Sequence, residues 1–320
     1  MPQQSTEDLR SFIRATKDII LPRRPSLPVT MLMDDELKLL YALARDHFRN
    51  EGHIIDAGCF LGGSTNALAT GLLENPRYRA RPRKALIHSY DVFQVERWTI
   101  GIYFPKGTKR KSSFEQDYRR NIMPFADLVD VRKGDIRDEP VFPEPVEILF
   151  IDIAKHYTTS DHVTRMFFPR LIPGHSIVVH QDYLWHDHTG WLPVTMEFFA
   201  DYFEIIGDTR QNSVVFIYKK QIPEELLRQD VIASLSIAEI DRLSQRARSK
   251  YFDDEQKAVL AAGHAQFMGI LERDRTWLGR WRSAVHQWLA STWRGTSRRL
   301  RSALRGASTS AKRSSTAARS

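Results

Sequence analysis

The sequence lacks the features that mark secreted or membrane-spanning chains. Its 320 residues include one cysteine, Cys59, so no disulfide can form within the chain, which is typical of a reducing compartment. No apolar run approaches the roughly 18 residues that a spanning helix needs. The first residues, MPQQSTEDLR, have neither the basic start nor the apolar stretch of a secretory signal. These absences predict a cytoplasmic protein.

Acidic residues are absent from the C-terminal end. Residues 294–320 contain eight Lys or Arg and no Asp or Glu, whereas the rest of the chain has 39 basic and 39 acidic residues. Because the body is formally neutral, we expect no specific nucleic-acid partner despite the net charge of +8. The segment is poor in large apolar side chains, which predicts a disordered basic tail. Such a tail suits contact with an anionic membrane, which would make the protein peripheral to that membrane.

Tryptophans recur at helical spacing just before this tail. Trp277, Trp281 and Trp288 are interleaved with arginines. An aromatic stripe of this kind is typical of a helix packed on its own domain, or on a second subunit in a homodimer. A basic helix with tryptophan on one face is also typical of a membrane surface. The sequence leaves both interpretations open.

Short apolar runs alternate with helical patterns through the middle of the chain. Strands are predicted at residues 53–58, 85–93, 129–136, 146–153, 175–183, 203–208 and 212–220. Strands that alternate with helices imply a parallel sheet covered on both faces. The last two strands are too close together for a crossover, so they must pair as a hairpin. The prediction is an α/β, Rossmann-like fold with a seven-stranded, mostly parallel sheet and one antiparallel strand.

The pattern also divides the chain into regions. We expect an N-terminal helical cap over residues 1–50, the sheet domain over 51–220, a C-terminal helical extension over 221–293 and the basic tail over 294–320. Residues 223–293 contain helical patterns and no strand candidate.

A glycine-rich turn follows the first predicted strand. In IIDAGCFLGGST the strand ends near Asp56, and the turn leads into a helix through Gly58, Gly62, Gly63 and Ser64. Glycine lets the backbone turn sharply and approach a ligand, and a helix start offers free N–H groups. Phe60 stands where a dinucleotide-binding fingerprint has its second glycine. Alone, the segment is also typical of an ordinary tight turn.

Acidic residues end the next three strands. Asp91 ends the second, Asp135 precedes Ile136 at the end of the third, and Asp152 ends the fourth. A carboxylate can accept both hydroxyls of a ribose, and an acidic residue beside an apolar one suits an adenine. A single Asp at a strand end is more often a turn residue. Because ligands of open α/β sheets bind beyond the carboxyl ends of the strands, the succession favours a site in one crevice.

These segments resemble motifs of the class I S-adenosyl-L-methionine-dependent methyltransferases. DAGCFLGGST, SYDVF and KGDI are similar to motifs I, II and III. EILFIDIAKHY and PRLIPGHSIVVHQDY resemble two further segments of macrocin O-methyltransferase-like and related small-molecule enzymes. The resemblance covers roughly residues 30–220. It implies the class I methyltransferase fold and methyl transfer to a small-molecule hydroxyl acceptor, such as a sugar or a glycoside.

The resemblance also assigns roles to residues. The cofactor-binding set that it implies is Asp56, Gly58, Gly62, Gly63 and Ser64 around the methionine portion, Asp91 at the ribose, and Asp135 with Ile136 at the adenine. Lys155 has the spacing from Asp152 of the lysine that removes the acceptor proton in catechol O-methyltransferase. His156 and His180 are alternative general bases.

A divalent metal is part of the same resemblance. In catechol O-methyltransferase the aspartate binds the metal together with an Asp-Asn pair. This sequence departs from that pattern, with Ala154 at an expected carboxylate and Gln181-Asp182 after the fifth strand. Asp152, Gln181 and Asp182 can still offer three oxygens to Mg²⁺. Equally, Gln181 and Asp182 can simply close a turn.

Two other functional classes fit parts of the sequence. His180, His186 and His188, close to Asp182, suit a non-haem-metal hydroxylase on a similar fold. A catalytically silent S-adenosylmethionine-binding scaffold, recruited through the basic tail, is the other. For the methyltransferase, the acceptor is expected to enter between residues 94–113 and 183–191. These loops carry aromatic side chains that suit its walls, namely Trp98, Tyr103, Phe104, Trp185 and Trp191.

Overall fold

The structure is a computed structural model that describes residues 5–22, 29–185, 189–210, 212–250 and 252–276. The chain divides into two compact units, residues 1–266 and residues 267–320. The predicted tryptophan helix and basic tail, and the loop residues His186, Asp187 and His188, lie outside the described residues. The division into four regions stays a prediction.

A seven-stranded sheet runs through the first unit. Its strands are β1 His53–Ala57, β2 Ile87–Asp91, β3 Val129–Lys133, β4 Val146–Ile151, β5 Ile177–His180, β6 Phe203–Asp208 and β7 Val214–Tyr218. The order across the sheet is β3-β2-β1-β4-β5-β7-β6. The first five strands pair in parallel, and β7 is antiparallel to both of its neighbours. This is an α/β, Rossmann-like fold with a seven-stranded, mostly parallel sheet and one antiparallel strand, so the predicted fold class is confirmed.

Helices cover the sheet and follow it in the chain. Before β7 they are α1 Thr6–Thr16, α2 Asp34–Ala42, α3 Gly63–Glu74, α4 Pro76–Ala80, α5 Glu115–Asn121, α6 Tyr157–Phe167 and α7 Trp191–Phe198. After β7 they are α8 Glu224–Leu227, α9 Val231–Ser234, α10 Ile237–Arg248 and α11 Asp254–Arg275. Within the described part of the chain, none of these helices has the length and apolar character needed to cross a membrane.

The sequence explains why these segments become strands and where the helices stop. All six residues of β4 are buried, as expected of a central strand with helices on both faces. α5 ends at Asn121, and a 3-10 turn spans Met123–Phe125. Pro124 in that turn has no N–H to donate, so it cannot continue the helical hydrogen bonds.

The N-terminal helices pack directly on the sheet domain. In α1, Arg10 Nη2 donates to Glu204 Oε1 at 2.9 Å, and Ile13 lies against Gly207 of β6. α2 packs on α3, where a Cβ at Gly71 would lie 2.2 Å from the carbonyl oxygen of Tyr41. At Gly207 and at Gly71 the neighbouring helix occupies the space that a Cβ would take, so both contacts depend on glycine.

The strand order changes direction between β1 and β4. The two strands are neighbours although they are far apart in the chain, and the amide of Asp152 donates to the carbonyl of Ala57 at 2.7 Å just beyond their ends. A Cβ at Gly58 would lie 2.6 Å from the Asp152 carbonyl oxygen, so only glycine fits there. Open α/β sheets bind their ligands at this kind of switch point, beyond the carboxyl ends of the strands.

Candidate active site

A cavity of about 700 Å³ opens at the carboxyl ends of β1, β2, β4 and β5. This volume lies within the range of about 300–1,000 Å³ that is usual for small-molecule sites. The residues predicted from the sequence that line it are Gly58, Asp91, Asp152, Lys155, Gln181 and Asp182. The structure therefore brings the ends of four strands to one crevice.

Asp91 ends β2 at the wall of this cavity. Its Oδ2 accepts from the amide of Phe60 at 3.0 Å, and its Oδ1 accepts from the amide of Phe93 at 2.7 Å. Burial raises the pKa of Asp91, against the hydrogen bonds from these amides. A carboxylate has about four lone-pair positions, so these two bonds leave it able to accept from two hydroxyls of a ligand.

Phe60 is the residue of the glycine turn that sequence reasoning missed. Its φ of +45° is unusual for a residue with a side chain, and this conformation directs its amide to Asp91. Its ring lines the cavity and meets Tyr103 and Phe114 edge to face, with centroids 5.4 Å apart in each case. The only sequence signal was an aromatic residue where the fingerprint has glycine.

The rest of the glycine turn is packed into the protein. Gly62 is the N-cap of α3, with φ +94°, and a Cβ at Gly63 would lie 2.3 Å from Oγ1 of Thr30. Ser64 and Asp56 are buried. Thr65 Oγ1 donates to Asp56 Oδ2 at 2.5 Å, and burial raises the pKa of Asp56 to about 6. Their predicted contact with the methionine portion of the cofactor stays a prediction.

Asp135 and Ile136 follow β3 and do not line the cavity as the described residues define it. Asp135 Oδ1 accepts from the amide of Arg137 at 3.0 Å, and its Oδ2 pairs with the Arg137 guanidinium at 2.7 Å. Ile136 is buried. Their assignment to the adenine stays a prediction.

Lys155 is held between the ends of β4 and β5. Its ammonium forms ion pairs with Asp152 and Asp182 and lies 3.2 Å from Gln181 Oε1. Burial alone would lower the pKa of Lys155, but the carboxylates of Asp152 and then Asp182 outweigh it and hold that pKa above its usual range. Burial raises the pKa of Asp152, against the attraction of Lys155. The cluster therefore places an ammonium between the carboxyl groups of Asp152 and Asp182.

Lys155 contacts the same side-chain oxygens that the sequence suggests as ligands of Mg²⁺. Asp152, Gln181 and Asp182 do converge, as a metal site requires, but they converge on the Lys155 ammonium. No group of three His, Cys, Asp or Glu side chains in the described ranges is arranged to hold a metal ion. In this conformation the residues do not fit a bound Mg²⁺, because the Lys155 ammonium already occupies the space between their oxygens.

The two histidines proposed as alternative bases lie outside the cavity lining. His156 caps α6, where its Nδ1 accepts from the amide of Thr158 at 3.3 Å. His180 is buried in β5, 2% exposed, with its ring 6.2 Å from that of Phe216. Burial lowers the pKa of His180 to about 3, so its ring is neutral. Of the three predicted bases, Lys155 is the one that lines the cavity.

Of the five aromatic side chains that the sequence predicts as walls for the acceptor, three line the cavity, and Phe104 and Trp191 do not. Trp98, Tyr103 and Trp185 line the cavity, with Trp98 60% and Trp185 43% exposed. Phe104 is buried behind Phe60, at a centroid distance of 5.9 Å. Trp191 is buried at the start of α7, where its Nε1 donates to the carbonyl of Ala154 at 2.9 Å.

No family model matches this chain, and no curated protein sequence matches it. Solved structures do resemble it. CalS11, a calicheamicin methyltransferase, is 15% identical with a TM-score of 0.38, over 68% of this chain and 95% of its own. The cofactor-bound Rv0187 from MTB is 16% identical with a TM-score of 0.41, over 68% and 100%. The Bacillus cereus O-methyltransferase in complex with SAH is 15% identical with a TM-score of 0.37, over 69% and 93%. At such values, function has to be argued from this chain's own residues.

Proposed function

We propose that this protein is an S-adenosyl-L-methionine-dependent methyltransferase that methylates a hydroxyl group of a small molecule. The observation that carries the proposal is the pairing of two unlike walls across one crevice. Asp91 stands at the end of β2 with acceptor positions to spare, and the Asp152–Lys155–Asp182 cluster stands at the ends of β4 and β5. The first suits a ribose, and the second suits a hydroxyl that must lose a proton.

Each wall has a separate task in the reaction. S-adenosyl-L-methionine, when bound, supplies a methyl group on a sulfonium. Asp91 binds the ribose hydroxyls and so positions the cofactor. Lys155 and Asp182 contact the acceptor hydroxyl, orient its oxygen and take up its proton within their cluster. Phe60, Tyr103 and Phe114 exclude water from this side of the cavity.

The test of the cofactor assignment is the variant Asp91→Ala. Losing two hydroxyl contacts to a carboxylate costs about 1.5–3 kcal/mol for each charged hydrogen bond, so the affinity for S-adenosylmethionine should fall at least about tenfold. Isothermal titration calorimetry measures it. Asp127→Ala is the matched control, because Asp127 is an exposed carboxylate, paired with Lys84, that does not line the cavity.

Asp91 also holds two backbone amides, so the unfolding temperature of each variant has to be recorded. Asp91→Asn keeps the shape of the side chain and removes its charge, and its affinity should lie between those of the wild type and the alanine variant. An Asp91→Ala variant that folds and keeps the wild-type affinity would contradict the cofactor assignment. Mass spectrometry of the ligand retained on purification gives an independent answer.

A further inference from the structure

We infer that the acceptor is a neutral or positively charged molecule with a flat apolar part, and that the cavity discriminates against phosphorylated and carboxylated acceptors. The inference rests on the proposed function, because it concerns the second substrate of the same site. It is carried by the charge and the composition of the cavity wall.

Carboxylates dominate the charge of the cavity. Four of them line it, Asp91, Glu96, Asp152 and Asp182. Lys155 is the one cationic side chain among the described residues of the lining, and it is already paired with two of the carboxylates. The described lining therefore carries an excess of negative charge. Residues 186–188 lie outside the described residues and are not counted in it.

Binding of the cofactor does not reverse this excess. A ribose bound by Asp91 is neutral, and the sulfonium adds one positive charge beside carboxylates that outnumber it. An anionic acceptor entering the remaining space approaches Glu96 and the Asp152–Lys155–Asp182 cluster, in a cavity where charges are screened less than in water. A phosphate or carboxylate acceptor usually needs an arginine or an unpaired lysine to bind it. The described lining has neither.

Glu96 is the carboxylate best placed to act on the acceptor alone. It stands in the loop that carries Trp98, and its side chain is 51% exposed. The guanidinium of Arg110 approaches it only to 3.9 Å, and Arg110 does not line the cavity. Glu96 takes no part in the proposed cofactor contacts or in the cluster at Lys155. Its charge can therefore be changed without disturbing either.

The uncharged part of the wall fits a flat ring. Trp98 meets Tyr103 edge to face, at a centroid distance of 6.3 Å, and Tyr103 meets Phe60 in the same way. Trp98 and Trp185 remain open to the cavity and to solvent. Exposed aromatic faces stack on flat apolar groups and attract cations, whereas their negative faces repel anions.

Two fluorescent probes with one ring system test the inference. N-phenyl-1-naphthylamine is neutral, and 8-anilinonaphthalene-1-sulfonate adds a sulfonate to the same skeleton. We expect the full-length protein, saturated with S-adenosylhomocysteine, to bind the neutral probe at least about tenfold more tightly. The chain carries a net charge of +8, so non-specific attraction favours the anionic probe and makes the comparison stringent.

The variant Glu96→Lys shows whether the preference comes from this cavity. It should narrow the ratio of the two dissociation constants by about tenfold, because the charge facing the sulfonate is reversed. Glu225→Lys, the same change at an exposed residue of α8 outside the cavity, should leave the ratio unchanged. Trp98→Ala should weaken the binding of both probes by the same factor. If the lysine variant does not fold, Glu96→Gln replaces it and should give a ratio between that of the wild type and that expected for the lysine variant.

Three results would overturn the inference. They are equal or tighter binding of the sulfonate, a ratio that responds alike to Glu96→Lys and Glu225→Lys, and no binding of the neutral probe to the folded protein. Failure of the proposed function is recognised separately, as a protein that binds neither S-adenosylmethionine nor S-adenosylhomocysteine. In that case the probe ratio is measured in the ligand-free protein, and it still decides the charge preference of the cavity.

Discussion

The chemistry open to Lys155 is set by its two carboxylate neighbours. Asp152 and Asp182 keep the side chain an ammonium, so it cannot accept a proton until one of them moves or is itself protonated. The sequence predicts Lys155 as the general base. The contacts also suit a second role, in which the ammonium stabilises the acceptor oxygen while a carboxylate of the cluster takes the proton.

Two substitutions at Lys155 separate these roles. Lys155→Met removes both the basic group and the positive charge, so it should lower turnover about 10²–10⁴-fold, whichever role the lysine has. The affinity for S-adenosylmethionine should be unchanged. Lys155→Arg keeps the positive charge but cannot act as a base. We expect the arginine variant to turn over at least about tenfold faster than the methionine variant. Equal loss in both, measured as initial rates of S-adenosylhomocysteine formation, would identify the lysine as the base.

The buried ring of His180 leads to a prediction about the stability of the protein at low pH. Its folded-state pKa of about 3 lies below the usual value near 6.5, so the unfolded chain binds the proton first. Its contribution to stability is therefore complete above pH 6.5 and is lost as the pH falls toward 3. By pH 5 the loss in the free energy of unfolding should be about 2 kcal/mol.

The variant His180→Phe removes the titrating group from its place beside Phe216. Between pH 8 and pH 5 it should lose about 2 kcal/mol less stability than the wild type, measured by urea unfolding at both values. Parallel losses would show that His180 is not buried as a neutral ring. Since His180 does not line the cavity, turnover at pH 8 is expected to persist in the folded variant.

At the scale of single residues, the sequence identifies a site residue when the signal for it lies in the adjacent residues. Asp91 and Asp152 were identifiable because each follows an apolar run. The ion pair of Lys155 with Asp182 joins residues 27 positions apart, and the bond from Phe60 to Asp91 depends on a left-handed backbone. Neither leaves a local pattern, because both follow from how β1, β2, β4 and β5 are aligned.

The elements themselves were largely predictable, with their ends less so. Buried strands such as β4 reveal themselves as apolar runs, and the hairpin of β6 and β7 followed from its short connection. The sequence does not explain Gly71 within α3, since glycine weakens a helix. The reason lies in the contact with α2, where the Tyr41 carbonyl approaches Gly71.

This contact reverses the usual effect of replacing a helical glycine. In an open helix, Gly→Ala stabilises by about 1 kcal/mol. At Gly71 a Cβ would lie 2.2 Å from the carbonyl oxygen of Tyr41, so Gly71→Ala should destabilise by about 1–3 kcal/mol as the helices separate. In α11, a Cβ at Gly263 meets nothing closer than 3.6 Å, so Gly263→Ala should be neutral or stabilising. Chemical denaturation compares the two, and equal effects would contradict this account of helix packing.

The whole molecule combines a cavity rich in carboxylates with a chain that is basic overall. The excess positive charge belongs to residues 294–320, outside the described residues, and the remaining sequence is formally neutral. A basic segment beside a neutral body is suited to hold the protein at an anionic surface, at about 1 kcal/mol for each lysine or arginine near that surface.

Deletion of residues 294–320 should therefore separate association from catalysis. We expect turnover on a soluble acceptor to be unchanged and co-sedimentation with phosphatidylserine vesicles at low salt to fall at least about tenfold. Phosphatidylcholine vesicles and high salt are the controls, since both remove the electrostatic attraction. If the full-length chain ignores anionic vesicles at low salt, the membrane interpretation is wrong. If deletion abolishes turnover, the boundary near residue 293 is wrong.

The contact between α1 and β6 also bears on aggregation. A sheet of this size has two edge strands, and an uncovered edge can pair with a strand of another molecule. On β3 the edge carries Asp130, Arg132 and Lys133, whose charges oppose such pairing. On β6, Arg10 of α1 donates to the Ile205 carbonyl at 3.5 Å, next to an irregularity in the ladder. Removing the first helix would uncover this part of the β6 edge, so we expect the truncated protein to self-associate more than the full chain.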